Sequence, residues 1–359
     1  MAPPQYPDTS AGFATPGGDT RARLWKDETR MMPRFPFGRT GRAVSRIGFG
    51  AWAIGGTWGE VTEEDARAAL HAALDAGMTF IDTADVYGDG RSERLIAAVL
   101  AERGGRRPFV ATKAGRRANP HVAEAYTLEN LTAWTDWSRA NLGMDRLDLV
   151  QLHCPPTAVF SMPRVFDALE TLRQRGAIRH WGVSVEKVEE GLTAIACEGC
   201  VSVQIIYNVF RQRPAEHFFR EARRKNVAVI ARVPLASGLL TGKMSAASRF
   251  APDDHRAFNR EGAAFDKGET FSGVPFEVGL AAVEEIRPFV PKGTTMAAFA
   301  LRWCLMDPAV TVVIPGARNA GQARANAAAG GLAPLPPATM EALAAIYRAR
   351  IAPHVHDLW

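Results

Sequence analysis

Phe80-Ile81-Asp82-Thr83-Ala84-Asp85-Val86-Tyr87-Gly88-Asp89-Gly90-Arg91-Ser92-Glu93 is the stretch on which the fold of this chain turns. The apolar run over residues 78–81 breaks at Asp82 into a polar, glycine-bearing turn, and an amphipathic pattern takes over at Ser92. That succession is the signature of a strand, a loop and a helix. It places Asp82 at the carboxyl end of the strand and Tyr87 on the loop beyond, the edge at which α/β proteins bind ligands and carry out chemistry.

Outward from this unit the alternation repeats. Upstream, Thr62 followed by Asp65 makes a variant of the capping box, and Ala66, Leu70, Ala73 and Leu74 line one helical face until Gly77 stops it. Strands are predicted over residues 45–52, 78–82, 108–112, 147–152, 178–184, 201–206, 227–231 and 310–314, with helices over 92–103, 127–142, 163–175, 186–196 and 214–225. Short strands alternating with helices in this way predict an α/β fold, a (β/α)8 TIM barrel, with an open doubly wound sheet as the alternative. After strand 7 the long connection over residues 234–275 carries Phe250, Phe258, Phe265, Phe271 and Phe276, which suits a lid or a cofactor clasp. A C-terminal helix over residues 336–350 is expected to pack against one end of the barrel.

Composition narrows the class of function. With 359 residues and 47% apolar content the chain can bury a full barrel core. A formal charge of +5 is mild, and the cations are scattered: Arg223, Arg224 and Lys225 fall at a helix end, where they complement the dipole. Nucleic-acid binding would want them on one face. Four cysteines do not make a disulfide framework, so a cytoplasmic setting is expected. Cys197 and Cys200 form a C-x-x-C with no second pair at zinc spacing, and no metal site is read. The apolar stretch over residues 296–306 is too short to span a bilayer, so no membrane segment is expected. Residues 1–30 lack periodicity and read as a disordered leader ahead of a single domain over residues 31–359, with Met31 or Met32 as the expected start. Gly48-Phe49-Gly50-Ala51-Trp52-Ala53 satisfies G-x-G-x-x-G/A, but a further glycine loop follows it and the next acid ending a strand, Asp82, stands too far along. We read this dinucleotide fingerprint as accidental.

The ends of consecutive strands carry chemistry. Strand two leads from Asp82 to Tyr87, strand three ends in Thr112-Lys113 and strand four in Gln151-Leu152-His153. Singly, each has a structural reading as a cap, a packed aromatic, a solvated cation or a core histidine. Together they converge on one barrel face. A phenol of pKa about 10 is a poor proton donor near neutrality until a cation stabilises the phenolate. Lys113 supplies that charge, Asp82 holds Lys113, and His153 directs a substrate oxygen. Such a set protonates an oxygen that gains negative charge as hydride reaches its carbon. No side chain donates hydride, so a nicotinamide cofactor is required.

Over essentially all of residues 33–350 the chain resembles the aldo-keto reductases, a family that includes the potassium-channel beta subunits. Asp82-Thr83-Ala84-Asp85-Val86-Tyr87-Gly88 looks like the family's Asp and Tyr signature, Ala111-Thr112-Lys113 like its lysine strand, and Leu149-Val150-Gln151-Leu152-His153 like its histidine strand. The resemblance implies a catalytic tetrad of Tyr87, Asp82, Lys113 and His153, and NADP(H) bound across the barrel mouth, with NAD(H) the alternative. It implies that Ser184 and Gln204 hold the nicotinamide amide, with Val185 where the family has a polar partner, and that Arg232 stands where an aromatic stacks on the ring. Pro234, Leu235, Ser237, Gly238, Leu239 and Lys243 resemble the pyrophosphate loop. Gly316, Arg318, Gln322 and Asn326 resemble the adenosine end, where Arg318 suits a 2′-phosphate.

Trp52 joins this cofactor set, and Trp58 with Tyr87 and His153 forms the expected substrate set. The substrate is expected to be a small carbonyl compound or alcohol, with Arg116 and Arg117 read as solvated loop charges or, less favoured, a contact for an acidic group. Two other readings stand beside this one. The barrel could hold NADPH as a redox-sensing regulatory module with little turnover. A glycosidase would need facing carboxylates, and strands four and seven end without one.

Overall fold

An antiparallel hairpin, β1 (Arg34–Pro36) and β2 (Ala43–Ser45), is the first element of the described residues and precedes the main sheet. The computed structural model describes residues 32–56 and 58–359; the leader expected at residues 1–30 lies outside them. The main sheet is eight parallel strands in chain order: β3 (Phe49–Gly50), β4 (Phe80–Asp82), β5 (Phe109–Ala114), β6 (Leu147–His153), β7 (Ile178–Ser184), β8 (Cys200–Ile206), β9 (Ala228–Arg232) and β10 (Val310–Val313). Its two ends meet, because Ile47 bridges to Val313 and Gly50 to Gly316. The Gly48 amide donates to Val313 O at 2.9 Å and the Gly50 amide to Pro315 O at 3.0 Å. The result is the expected (β/α)8 barrel.

The seam explains the decoy glycines. A Cβ on Gly50 would lie 2.6 Å from Ile314 O and one on Gly48 2.9 Å from the Phe80 ring, so only glycine lets β3 close on β10. A single helical turn, Trp52–Gly55, follows at once, and the first long helix starts later.

Helices α1 (Glu63–Asp75), α2 (Arg91–Arg103), α3 (Leu128–Leu142), α4 (Pro163–Gln174), α5 (Val188–Ala194) and α6 (Phe218–Arg224) connect the strands from β3 to β9. Two more, α7 (Phe276–Ile286) and α8 (Met296–Cys304), lead to β10, and α9 (Ala320–Ala329) and α10 (Pro337–Ile346) follow it. At the start of α1 the Asp65 amide donates to Thr62 Oγ1 at 3.1 Å, and the Thr62 hydroxyl donates to the Asp65 carboxylate, also at 3.1 Å. The shorter Asp thus returns a hydroxyl contact where Glu in a full capping box would reach the backbone. The predicted 214–225 helix is a 3-10 turn, Arg213–Ala215, followed by the shorter α6.

Two cores result. Inside the barrel, Phe80, Phe109, Leu149, Ile230 and Val312 pack with Phe37, which the hairpin presses into the amino-terminal end. Its ring lies 5.3 Å from Phe80 and 5.1 Å from Phe109, closing that end with aromatic contacts. The larger core lies between strands and helices and includes Leu70, Ile96, Leu131, Leu169, Phe218 and Leu301. Among the described residues no helix is long and apolar enough to cross a membrane.

Candidate active site

Lys113 sits one residue before the end of β5, inside the ring and 1% exposed. Its ammonium has three protons to donate, and each finds an acceptor: Asp82 Oδ1 at 2.5 Å, Thr83 O at 2.8 Å and Tyr87 Oη at 3.2 Å. Asp82 Oδ2 accepts from Gln204 Nε2 at 2.7 Å and Gln151 Nε2 at 3.1 Å. Donors from β6 and β8 therefore hold the carboxylate that holds the lysine.

Tyr87 is delivered by the turn after β4. Gly88 has φ +62°, and a Cβ there would lie 2.0 Å from Gly55 O, so the turn must be glycine to press against the Trp52–Gly55 turn. The phenol ring lies parallel to Trp52, centroids 6.1 Å apart, and meets the His153 ring edge-on at 5.8 Å. Asp82, Tyr87, Lys113 and His153, expected together from sequence, do lie together.

Their electrostatics fit proton donation. Burial raises the pKa of the Tyr87 phenol, and the Lys113 charge works against it. Burial would lower that of the Lys113 ammonium, but Asp82 and Tyr87 together outweigh it, so the pKa is raised and the lysine stays charged. His153 is driven well below its usual range, first by burial and then by Arg116, Lys113 and Arg232, so it stands neutral and offers an N–H without carrying charge.

Beside His153 lies a second cluster. Arg232, the last residue of β9, donates to Glu186 Oε2 at 2.7 Å and Val185 O at 3.1 Å, with Glu269 Oε2 at 3.8 Å. Arg116 pairs with Glu269 and, at 3.3 Å, with Glu186. Arg116 is thus neither a solvated loop charge nor an uncommitted partner for an acidic substrate, because the tertiary fold supplies two carboxylates that its own neighbourhood in sequence lacks. Arg117 pairs with Asp89 at 2.6 Å. Burial pushes the Glu186 carboxyl up to about 8 against the pull of Arg232, while the Glu269 carboxylate, despite burial, is held well down by Arg116 and Arg232. Cys154, Glu186 and Glu269 bring potential ligand atoms within 4.8 Å of one another. Arg116 and Arg232 already neutralise Glu269, and burial favours the protonated forms of Glu186 and the Cys154 thiol, which is unfavourable chemistry for a metal.

Sequence reading passed over Glu186, Glu269 and Gln151. Glu186 lies two residues beyond Ser184 and could have been found as another strand-end charge. Glu269 sits in an irregular loop with no local signal.

The long connection does cover the mouth. Trp52 meets Trp58 at 5.4 Å, Phe265 at 5.9 Å and His255 at 4.8 Å, so loop residues lean on the aromatic wall beside Tyr87. Phe250, Phe271 and Phe276 instead pack on one another, with Arg260 over all three rings.

The residues expected at a cofactor stand at, near or beyond the carboxyl ends of β3, β7, β8, β9 and β10. Ser184 Oγ lies 3.5 Å from Cys154 Sγ, and the Gln204 amide group is engaged by Asp82 and Gln151. Between Pro234 and Leu239, Ala236, Ser237 and Gly238 all have positive φ, and the turn they make is closed by its own backbone, the Ala236 amide donating to Val233 O at 3.0 Å and the Gly238 amide to Leu235 O at 2.9 Å. Ser237 Oγ bonds the lid instead, donating to Glu269 O at 3.1 Å and accepting from the Phe271 amide at 3.0 Å. Leu235 is half-buried, Leu239 is buried, and Lys243 is exposed just beyond. Arg318, exposed next to the start of α9, donates to Trp58 O at 3.2 Å, while Gln322 Oε1 accepts from its amide at 2.9 Å and Asn326 Nδ2 donates to Gly316 O at 3.0 Å. Gln322 and Asn326 therefore brace the segment that presents Arg318.

Comparison with known proteins agrees with this geometry. The model of the aldo/keto reductase family matches residues 46–348. The chain belongs to that family. It is 32% identical to the aldo-keto reductase YhdN of Bacillus subtilis over 80% of this chain and 85% of that one. It is 28% identical to the aldo-keto reductase yakc [NADP(+)] of Schizosaccharomyces pombe over 77% and 81%. Among solved structures, glycerol dehydrogenase AKR11B4 from Gluconobacter oxydans superposes with a TM-score of 0.72 at 29% identity, covering 91% of this chain and 97% of that one.

Proposed function

We propose that this chain is an NADP(H)-dependent oxidoreductase that interconverts a carbonyl compound and its alcohol, with Tyr87 as the proton donor. The observation that carries the reading is the buried chain of contacts from Asp82 through Lys113 to Tyr87 Oη. The phenolate left after proton transfer is stabilised by an ammonium that Asp82 keeps charged. Neutral His153 hydrogen-bonds the carbonyl oxygen and turns its carbon away from the tetrad. A bound nicotinamide would supply the hydride.

Chain residues fit such a cofactor. Lys243, exposed beyond the 236–241 turn, suits a pyrophosphate, and the Gln204 Oε1, whose Nε2 is bonded to Asp82 and Gln151, suits an amide together with Ser184 Oγ. Arg318 beside the amino end of α9 suits a 2′-phosphate, which favours NADP(H) over NAD(H). The yeast relative, described as acting with NADP(+), supports this choice. The aromatic wall of Trp52, Trp58 and Phe265 favours neutral aldehydes and ketones of modest size, and the free cysteines suit a cytoplasmic setting.

The test follows NADPH oxidation against aromatic, aliphatic and sugar aldehydes, with Tyr87→Phe run in parallel. Turnover that collapses in the variant while NADPH still binds is the expected result. Tight NADPH binding with no turnover of any carbonyl would refute it in favour of a regulatory module.

A further inference from the structure

The tetrad occupies only one side of the mouth. Asp82, Tyr87, Lys113 and His153 come from β4, β5 and β6 and the turn after β4. Next to it, against His153, lies the ion cluster: Arg116 just past β5, Glu186 just past β7 and Arg232 closing β9, with Glu269 bracing them. Its side chains are largely out of solvent, with relative exposures of 8% for Arg232, 5% for Glu269, 13% for Glu186 and 19% for Arg116. Charges so buried act strongly on whatever lies against them. In the functional reading above, a nicotinamide held at Ser184, Gln204 and Arg232 lies against this cluster, because Arg232 bonds Val185 O and Glu186, the two residues that follow Ser184.

Hydride transfer moves one electron pair and one proton equivalent from the ring to the carbon, so a neutral reduced ring becomes a cationic oxidised one. A cluster charge therefore has little effect on the reduced form and a full Coulomb effect on the oxidised form. Arg232 and Arg116 alone would repel the oxidised ring. We infer that Glu269, joined by Glu186 where that carboxyl is ionised, sets the balance between oxidised and reduced cofactor bound at this mouth, by neutralising Arg232 and Arg116. They are specificity determinants for the oxidation state of the cofactor. This rests on the NADP(H) reading above.

The test is equilibrium titration with NADP+ and separately with NADPH, followed by calorimetry, on the wild-type protein, Glu186→Gln, Glu269→Gln and Arg116→Gln. Removing Glu269 leaves an uncompensated cation, and NADP+ affinity falls relative to NADPH by on the order of tenfold, as expected for one charge a few Å away in a partly buried setting; Glu186→Gln does the same only above about pH 8, where the Glu186 carboxyl is ionised. Arg116→Gln removes a cation, and the ratio moves the opposite way. A purely packing role would weaken both nucleotides in parallel in every variant. Parallel changes in Glu269→Gln, or a shift of the same sign in Glu269→Gln and Arg116→Gln, overturn the inference. Wild-type protein that binds neither nucleotide overturns the functional reading itself, which is a different result.

Discussion

Replacing Lys113 by Met separates what this residue does for stability from what it does for chemistry. Lys113 and Asp82 are a buried ion pair, with side chains 1% and 3% exposed and 2.5 Å apart. Removing one member of such a pair costs about 3–5 kcal/mol, because the remaining charge stays buried. Asp82 keeps its bonds from Gln151 and Gln204, which places Lys113→Met near the lower end of that range. In the double variant, Asp82→Asn with Lys113→Met, no charge is stranded, and more than half of the loss is recovered. Catalysis behaves differently. Without the ammonium, the Tyr87 phenol is left to burial and the nearby carboxylates, so it becomes a weaker acid and turnover falls by about 10²–10⁴-fold in both variants. The assay pairs urea unfolding with carbonyl reduction by NADPH. Activity that returns together with stability in the double variant would show that Lys113 serves only the architecture, and a loss below about tenfold in Lys113→Met would remove it from the proton-transfer step.

Other outcomes follow from particular contacts. Asp85 is fully buried in the turn between Asp82 and Tyr87, and burial followed by Glu93 pushes its carboxyl up to about 8. The folded protein then binds more protons than the unfolded chain between about pH 4 and pH 8, so stability falls as pH rises through that window. Asp85→Asn removes this slope, and its advantage over the wild type grows to roughly 2–5 kcal/mol by about pH 8, at about 1.36 kcal/mol per pH unit discounted for relaxation. A pH-independent difference in urea midpoint would contradict it. Gly50→Ala puts a Cβ against Ile314 O and should cost about 1–3 kcal/mol at the barrel seam; an unchanged unfolding midpoint would mean that the strands do not close there. Arg318→Ala should raise KM for NADPH by about tenfold or more and leave NADH unaffected, since one charge-assisted contact is worth about 1.5–3 kcal/mol. Equal use of both cofactors by wild type and variant would overturn the 2′-phosphate role.

The sequence by itself determined the alternation and the tetrad. Periodicity placed β7 over the residues where the structure has it and the other strands within a few residues, because strands buried on both faces leave continuous apolar runs bounded by turn residues. Asp82, Tyr87, Lys113 and His153 were legible because parallel barrel topology sends every strand's carboxyl end to the same face. Local signals said nothing of the 33–45 hairpin whose Phe37 plugs the barrel, since its burial depends on Phe80 and Phe109, far along the chain. Nor did they reveal the meaning of Gly48 and Gly50, which only the approach of β10 explains. The ion cluster was beyond reach for the same reason. Arg116 and Glu269 are 153 positions apart, and neither is marked by its neighbours. Tertiary structure decided that pairing, because burying a guanidinium requires a carboxylate from wherever the fold can deliver one.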